Sequence, residues 1–149
     1  MYINPPEKKD MDKVGAFVKR QPVTATAEAT LLDAVKLMAS HNIGLVVVVD
    51  DAGRPVGVVS ERDVIRALAR GAQLSEKALD VGTKGNLLVA KAEEDIYSAV
   101  KKMRERGTRH ILVVDDAGRL VGVVSIRDLV EDRALKAIGD KVWWPPPEE

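Results

Sequence analysis

Val48-Val49-Asp50-Asp51-Ala52-Gly53-Arg54-Pro55-Val56-Gly57-Val58-Val59-Ser60-Glu61-Arg62-Asp63 returns 65 residues later as Val113-Val114-Asp115-Asp116-Ala117-Gly118-Arg119-Leu120-Val121-Gly122-Val123-Val124-Ser125-Ile126-Arg127-Asp128. Fourteen of the 16 positions match; only Pro55/Leu120 and Glu61/Ile126 differ. Upstream, Ala34-Val35-Lys36-x-Met38 becomes Ala99-Val100-Lys101-x-Met103. The period is too long for a solenoid unit. It predicts two half-domains, each marginal alone and therefore packed against the other.

Working outward, each copy gives the same order of elements. Thr30 caps a helix carrying Leu31, Ala34, Val35 and Met38 on one face, and Asp95 caps its equivalent with Ile96, Ala99, Val100 and Met103. Gly107 stops the second of these. The short Val-rich runs Leu45–Val49 and Ile111–Val114 read as buried strands. Asp-Asp-Ala-Gly turns the chain into a second strand, Val56–Val59 or Val121–Val124, so each pair is a hairpin. Ser60 and Ser125 open further helices that end near Gly71 and Gly139. The predicted divisions are a flank at 1–12, a first repeat at 13–71, a linker with the second repeat at 72–139, and a tail at 140–149. The linker, Gly71–Gly85, is expected to hold a short helix from Ser75 to Leu79.

Composition narrows the function classes. The 149 residues hold 23 Lys+Arg and 23 Asp+Glu, so the chain lacks the cationic surplus of a phosphate-backbone binder. With no Cys there is no thiol catalysis, thiolate metal site or disulfide, which fits a cytoplasmic location. No apolar run reaches membrane-spanning length, and Met1–Asp12 is too polar for a signal peptide. The aromatics are Tyr2, Phe17, Tyr97, Trp143 and Trp144, so the core must be aliphatic and stacking on nucleic-acid bases is disfavoured. His41 and His110 have no patterned Ser/Asp partners and no zinc spacing. Neither a phosphate-loop motif nor Gly-x-Gly-x-x-Gly is present. No catalytic residue and no metal ligand is assigned.

The sharpest local feature is Gly57-Val58-Val59-Ser60-Glu61-Arg62-Asp63 and its echo ending in Ser125, Arg127 and Asp128. Ser-x-x-Asp at a strand-to-helix junction is a capping-box variant, and that alone accounts for both residues. The same geometry suits a nucleotide. Free N–H groups at a helix start favour an anion, and a carboxylate can accept hydrogen bonds from a ribose diol. The residues leave both readings open.

The sequence resembles the CBS (cystathionine-β-synthase) domain family, and the tandem resembles a CBS pair, or Bateman module. The resemblance rests on Pro22-Val23-Thr24-Ala25, Leu31-x-x-Ala34-Val35-x-x-Met38, Val48-Val49-Asp50-Asp51-x-Gly53 and Gly57-Val58-Val59-Ser60-x-x-Asp63, with Arg109-His110-Ile111-Leu112-Val113-Val114-Asp115 in the second copy. It covers about residues 13–135. It implies an α/β (α+β) fold of two β-α-β-β-α repeats related by a pseudo-twofold axis, commonly assembled as a homodimer.

The resemblance also implies a non-catalytic sensor that holds an adenosine nucleotide between its repeats. The expected ligand is AMP, with ADP or ATP, as a regulatory ligand rather than an obligatory cofactor. A separate effector protein would receive the signal. The alternatives are S-adenosylmethionine, a ligand-free interaction module, or nucleic acid. Carried over, one cleft combines Val58, Ser60, Arg62 and Asp63 with Leu88, Val89, Thr108, Arg109 and His110. The other combines Ser125, Arg127 and Asp128 with Val23, Thr24, Ala25, Ile43, Gly44 and Leu45. Arg109-His110 stands where the first copy has Gly44-Leu45, and a guanidinium fork suits phosphate, so phosphate is expected in the Asp63 cleft. The sequence departs from the expected pattern where Val89 replaces Thr24 and Lys91 replaces Thr26.

Overall fold

The computed structural model describes residues 13–130. Expectations for Met1–Asp12, for Gly139 as a helix stop and for the Trp143-Trp144 tail lie outside the described residues.

The first repeat runs β1 (Thr24–Ala25), α1 (Leu31–His41), β2 (Leu45–Val49), β3 (Pro55–Ser60) and α2 (Glu61–Ala69). The second opens with a short helix and strand, α3 (Ala78–Val81) and β4 (Thr83–Lys84). It continues as β5 (Val89–Lys91), α4 (Ile96–Arg106), β6 (His110–Val114), β7 (Leu120–Ser125) and α5 (126–130). The β-α-β-β-α order thus appears twice, in a mixed α/β fold.

Local chemistry sets the boundaries. Thr30 caps α1 as expected, and Asp33 completes a reciprocal box: Asp33 N–H donates to Thr30 Oγ1 at 3.1 Å and Thr30 N–H to Asp33 Oδ2 at 2.9 Å. The Thr30 N–H, helped by the Thr30 hydroxyl, holds the Asp33 carboxyl below its ordinary range. Asp95 caps α4 by accepting from Tyr97 N–H at 3.1 Å. Gly107, at φ 67°, ends α4; Asn42, at φ 53°, does the same for α1.

The linker helix forms at Ala78–Val81 rather than Ser75–Leu79. The reason is that residues 74–77 already serve α1. Leu74 and Glu76 carbonyls accept from Leu32 and Leu31 N–H at 3.1 and 2.7 Å, and Lys77 bridges to Thr30. Those carbonyls satisfy first-turn donors that a helix leaves without internal partners.

The strands form two sheets, ordered β1-β2-β3-β4 and β5-β6-β7. In each, a short strand lies parallel to the hairpin's first strand, and the hairpins share one register. Leu45 faces Ser60 as His110 faces Ser125, and both slip at the same place, Val48/Val49 and Val113/Val114.

Each repeat's core contains a piece of the chain that precedes the other. Val14 and Phe17, from a single 3-10 turn (Val14–Phe17), pack with Ala90, Ile96, Ala99, Met103, Ile111, Val113 and Val124 of the second repeat. Ala78 and Leu79 pack with Ala34, Met38, Val46, Val48 and Val59 of the first. The anchoring bonds are reciprocal: Val14 N–H to the Glu94 carbonyl and Ala78 N–H to the Ala29 carbonyl, both 2.9 Å. Sequence periodicity showed which residues were apolar but not that the lead-ins cross over. Val47 and Leu112, on the opposite strand faces from these clusters, are buried as well.

The crossover makes a specific prediction. Phe17→Ala should cost about 3 kcal/mol. In hydrogen exchange the loss should show first at Ile111–Val113 of the distant repeat, and Val46–Val48 should keep their protection. Faster exchange confined to residues 24–60 would contradict the packing.

Candidate functional site

Strand direction gathers the candidate residues at one edge of each sheet. The amino ends of β1 and β2 and the carboxyl end of β3 lie together, because β1 is parallel and β3 antiparallel to β2. In the first repeat this edge holds Val23, Thr24, Ile43, Gly44, Leu45, Ser60 and Asp63. Val47 N–H donates to the Val23 carbonyl at 3.3 Å, and Glu61 N–H to the Gly44 carbonyl at 3.0 Å. In the second it holds Leu88, Val89, Thr108, Arg109, His110, Ser125 and Asp128, with Leu112 N–H on the Leu88 carbonyl at 3.0 Å and Ile126 N–H on the Arg109 carbonyl at 2.8 Å. Ala25 is buried one step inward, and Val58 lies on β3 opposite Val47. Arg62, Arg109 and Arg127 are exposed.

Both helix ends carry the same box. Asp63 N–H donates to Ser60 Oγ at 3.1 Å, and Ser60 N–H to Asp63 Oδ2 at 2.9 Å. Asp128 N–H donates to Ser125 Oγ at 3.1 Å, and Ser125 N–H to Asp128 Oδ2 at 3.0 Å. The capping reading is therefore realised in full. Thr30 and Asp33 make the same box on α1, away from these sheet edges, so the box alone is no ligand signature. In both Asp63 and Asp128 the cap occupies one carboxylate oxygen. Oδ1 accepts no hydrogen bond among the described residues.

His110 stands at the second edge. It is half-buried and paired with Ser125 in the ladder. Burial holds its imidazole below the ordinary value near 6.5; Asp128 opposes that shift, Arg109 adds to it, and Glu61 of the other repeat also opposes it. Sequence grouping placed Arg109 and His110 with the Asp63 helix. The ladder register seats His110 beside Ser125 within its own repeat, and Glu61 of the first repeat is among the charges acting on its imidazole. No direct hydrogen bond joins Ser125, Arg127 or Asp128 to Val23–Ala25 or Ile43–Leu45 among the described residues.

Glu61 was not singled out from the sequence. Its carboxylate lies over Gly44, with Oε1 2.8 Å from where a Gly44 Cβ would stand. The signal was present, because Glu61/Ile126 is one of the two mismatches in the 16-residue repeat.

Two shallow grooves take in some of these residues. One of about 530 Å³ includes Leu88 and Val89 with Lys102 and Arg106; another of about 590 Å³ includes Ala25 with Asp33 and Lys36. Neither contains a Ser-x-x-Asp segment. Among the described residues no three His, Asp or Glu side chains are grouped to hold a metal, and no helix is long and apolar enough to cross a membrane.

Comparison with known proteins places this geometry. The model of the CBS domain matches residues 14–70 and again 79–134. Protein MK0525 of Methanopyrus kandleri is 31% identical over 120 residues, 79% of this chain; the match spans 61% of that protein's length. The CBS domain protein PAE2072 from Pyrobaculum aerophilum, solved complexed with AMP, is 35% identical with a TM-score of 0.77 and covers 84% of this chain and 95% of its own. The CBS domain pair of protein MJ0100, solved with 5′-methylthioadenosine and S-adenosyl-L-methionine, is 28% identical with a TM-score of 0.75 and covers 83% and 97%.

The His110 environment predicts a pH effect on stability. The folded imidazole binds its proton less readily than the unfolded one, so its contribution is complete above the unfolded value near 6.5 and is lost as pH falls below it. The Tm should drop between pH 7.5 and 5.5, and His110→Gln should flatten that drop. An unchanged slope in the variant would show that His110 is not the source.

Proposed function

The chain belongs to the CBS domain family, and on that footing we propose that it is a non-catalytic regulatory module that binds an adenosine nucleotide between its repeats. AMP is the preferred ligand, with ADP and ATP as further ligands and S-adenosylmethionine as the alternative. The observation that carries the reading is the pair of helix ends whose Asp63 and Asp128 each keep one carboxylate oxygen uncommitted. Those oxygens would accept the ribose hydroxyls. Val58, Leu88 and Val89 would lie against adenine as aliphatic groups, since among the described residues no Phe, Tyr or Trp is on the strands that form either edge. Arg109 would contact phosphate with a planar donor fork. The adenosine ligands of the PAE2072 and MJ0100 structures support the ligand class.

Ligand binding would report to a separate effector protein in the cytoplasm by shifting the packing of the repeats. The shift can be no larger than the difference in ligand affinity between the two arrangements.

Isothermal titration of the full chain with AMP, ATP and S-adenosylmethionine tests the proposal. Asp63→Asn keeps an oxygen for the Ser60 cap and removes the charge that receives the diol. It should weaken AMP about tenfold, the scale of one hydrogen bond to a charged group, at unchanged Tm. Absence of heat and of any thermal shift with all three ligands would overturn the reading.

A second reading, an interaction module, is favoured by the outward face of α2, where Ile65 is 67% and Leu68 50% exposed, with Leu32 and Leu74 also uncovered. The proposed homodimer would bury this face. Ile65→Glu with Leu68→Glu should convert a dimer to a monomer in sedimentation, whereas a wild-type monomer would remove the dimer from the proposal.

A further inference from the structure

The two helix ends are alike in every capping bond and opposite in charge at one place. In the first repeat the residue after the cap is Glu61, and the residue beneath it on the incoming strand is Gly44. In the second the same places hold Ile126, packed on the aliphatic core, and Arg109. The first edge therefore presents a carboxylate where the second presents a guanidinium. The carboxylate lies over Gly44, with Oε1 2.8 Å from the place a Cβ would take.

Glu61 also acts across the repeats. Its field reaches the His110 imidazole, which neighbours Arg109 and Ser125. A carboxylate at the rim of a nucleotide cleft would repel a ligand's phosphate.

We propose that Glu61 is a specificity residue that limits the negative charge a bound nucleotide can carry, ranking adenosine ligands with few phosphates above those with more. This rests on the adenosine-binding reading above and deepens it. Repulsion grows with each phosphate, because every added charge interacts with the same fixed carboxylate. A neutral nucleoside would be nearly indifferent to it.

The test is isothermal titration of adenosine, AMP and ATP into wild type, Glu61→Gln and Glu61→Ile. The second substitution copies the other repeat and separates charge from hydrogen bonding. Removing the charge should tighten AMP about threefold and ATP about tenfold, with adenosine within about twofold, as Coulomb scaling at a half-exposed cleft implies. The gain should shrink in high salt, which screens exposed charges. If all three ligands bind and the ATP-to-adenosine affinity ratio is the same in wild type and both variants, the role of Glu61 is refuted while adenosine binding stands. If none of the three binds to any of the proteins, the binding proposal itself fails, and the role of Glu61 with it.

Discussion

The structure depends on the exchange of lead-in segments between repeats. Val14 N–H on the Glu94 carbonyl and Ala78 N–H on the Ala29 carbonyl are equivalent bonds running in opposite directions across the molecule. Each carries its segment's apolar side chains, Val14 and Phe17 in one case and Ala78 and Leu79 in the other, into a core that the recipient repeat cannot fill alone. A half-domain of this size has too little buried surface to be stable by itself. The crossover solves this in a chain that has no cysteine for a disulfide, and it ties the two sheets together. Everything at the helix ends inherits its position from that arrangement.

At the Ser-x-x-Asp ends a structural device and the proposed ligand-receiving device would coexist. One carboxylate oxygen closes the box and fixes the side-chain rotamer, which leaves the other oxygen aimed by the same bond. Asp is short enough to do this from the third helical position, and its backbone is locked by the helix it caps. A side chain already held rigid loses little freedom when a ligand arrives, so the cap also serves as preorganisation. Thr30 and Asp33 make an equivalent box on α1, so the box by itself marks a helix start and no ligand.

The sequence made most of this fold legible, for particular reasons. The 65-residue repeat gave the element order twice. Thr30, Asp95 and Gly107 marked helix limits because caps and left-handed stops are local chemistry. The misses were non-local. The linker helix begins later than its propensity suggests because Leu74 and Glu76 carbonyls are bonded to α1. The destination of Phe17 was invisible because apolar spacing says that a residue is buried, never against which partner. At the site, the residue types at the sheet edges followed from the motifs, but their neighbours followed from register. His110 lies beside Ser125 because the hairpin pairs them, and that pairing becomes evident only once the strands are aligned. Glu61 went unread for the converse reason: it was a mismatch, and attention went to what the copies share.

The two hairpin turns also touch each other. Leu120 N–H donates to the Gly53 carbonyl at 2.9 Å, and Arg54 Nε to the Ala117 carbonyl at 3.0 Å. These bonds lie at the far ends of the strands from the Ser60 and Ser125 helix starts, a distance of about 17 Å for five residues of extended chain. Were the repeats to pivot about this contact, the strands would be levers of that length. A rotation of about ten degrees there carries the opposite edge through roughly 3 Å at this strand rise, about the length of a hydrogen bond. A small change in the angle between the repeats would thereby be converted into the making or breaking of individual polar contacts at the other end.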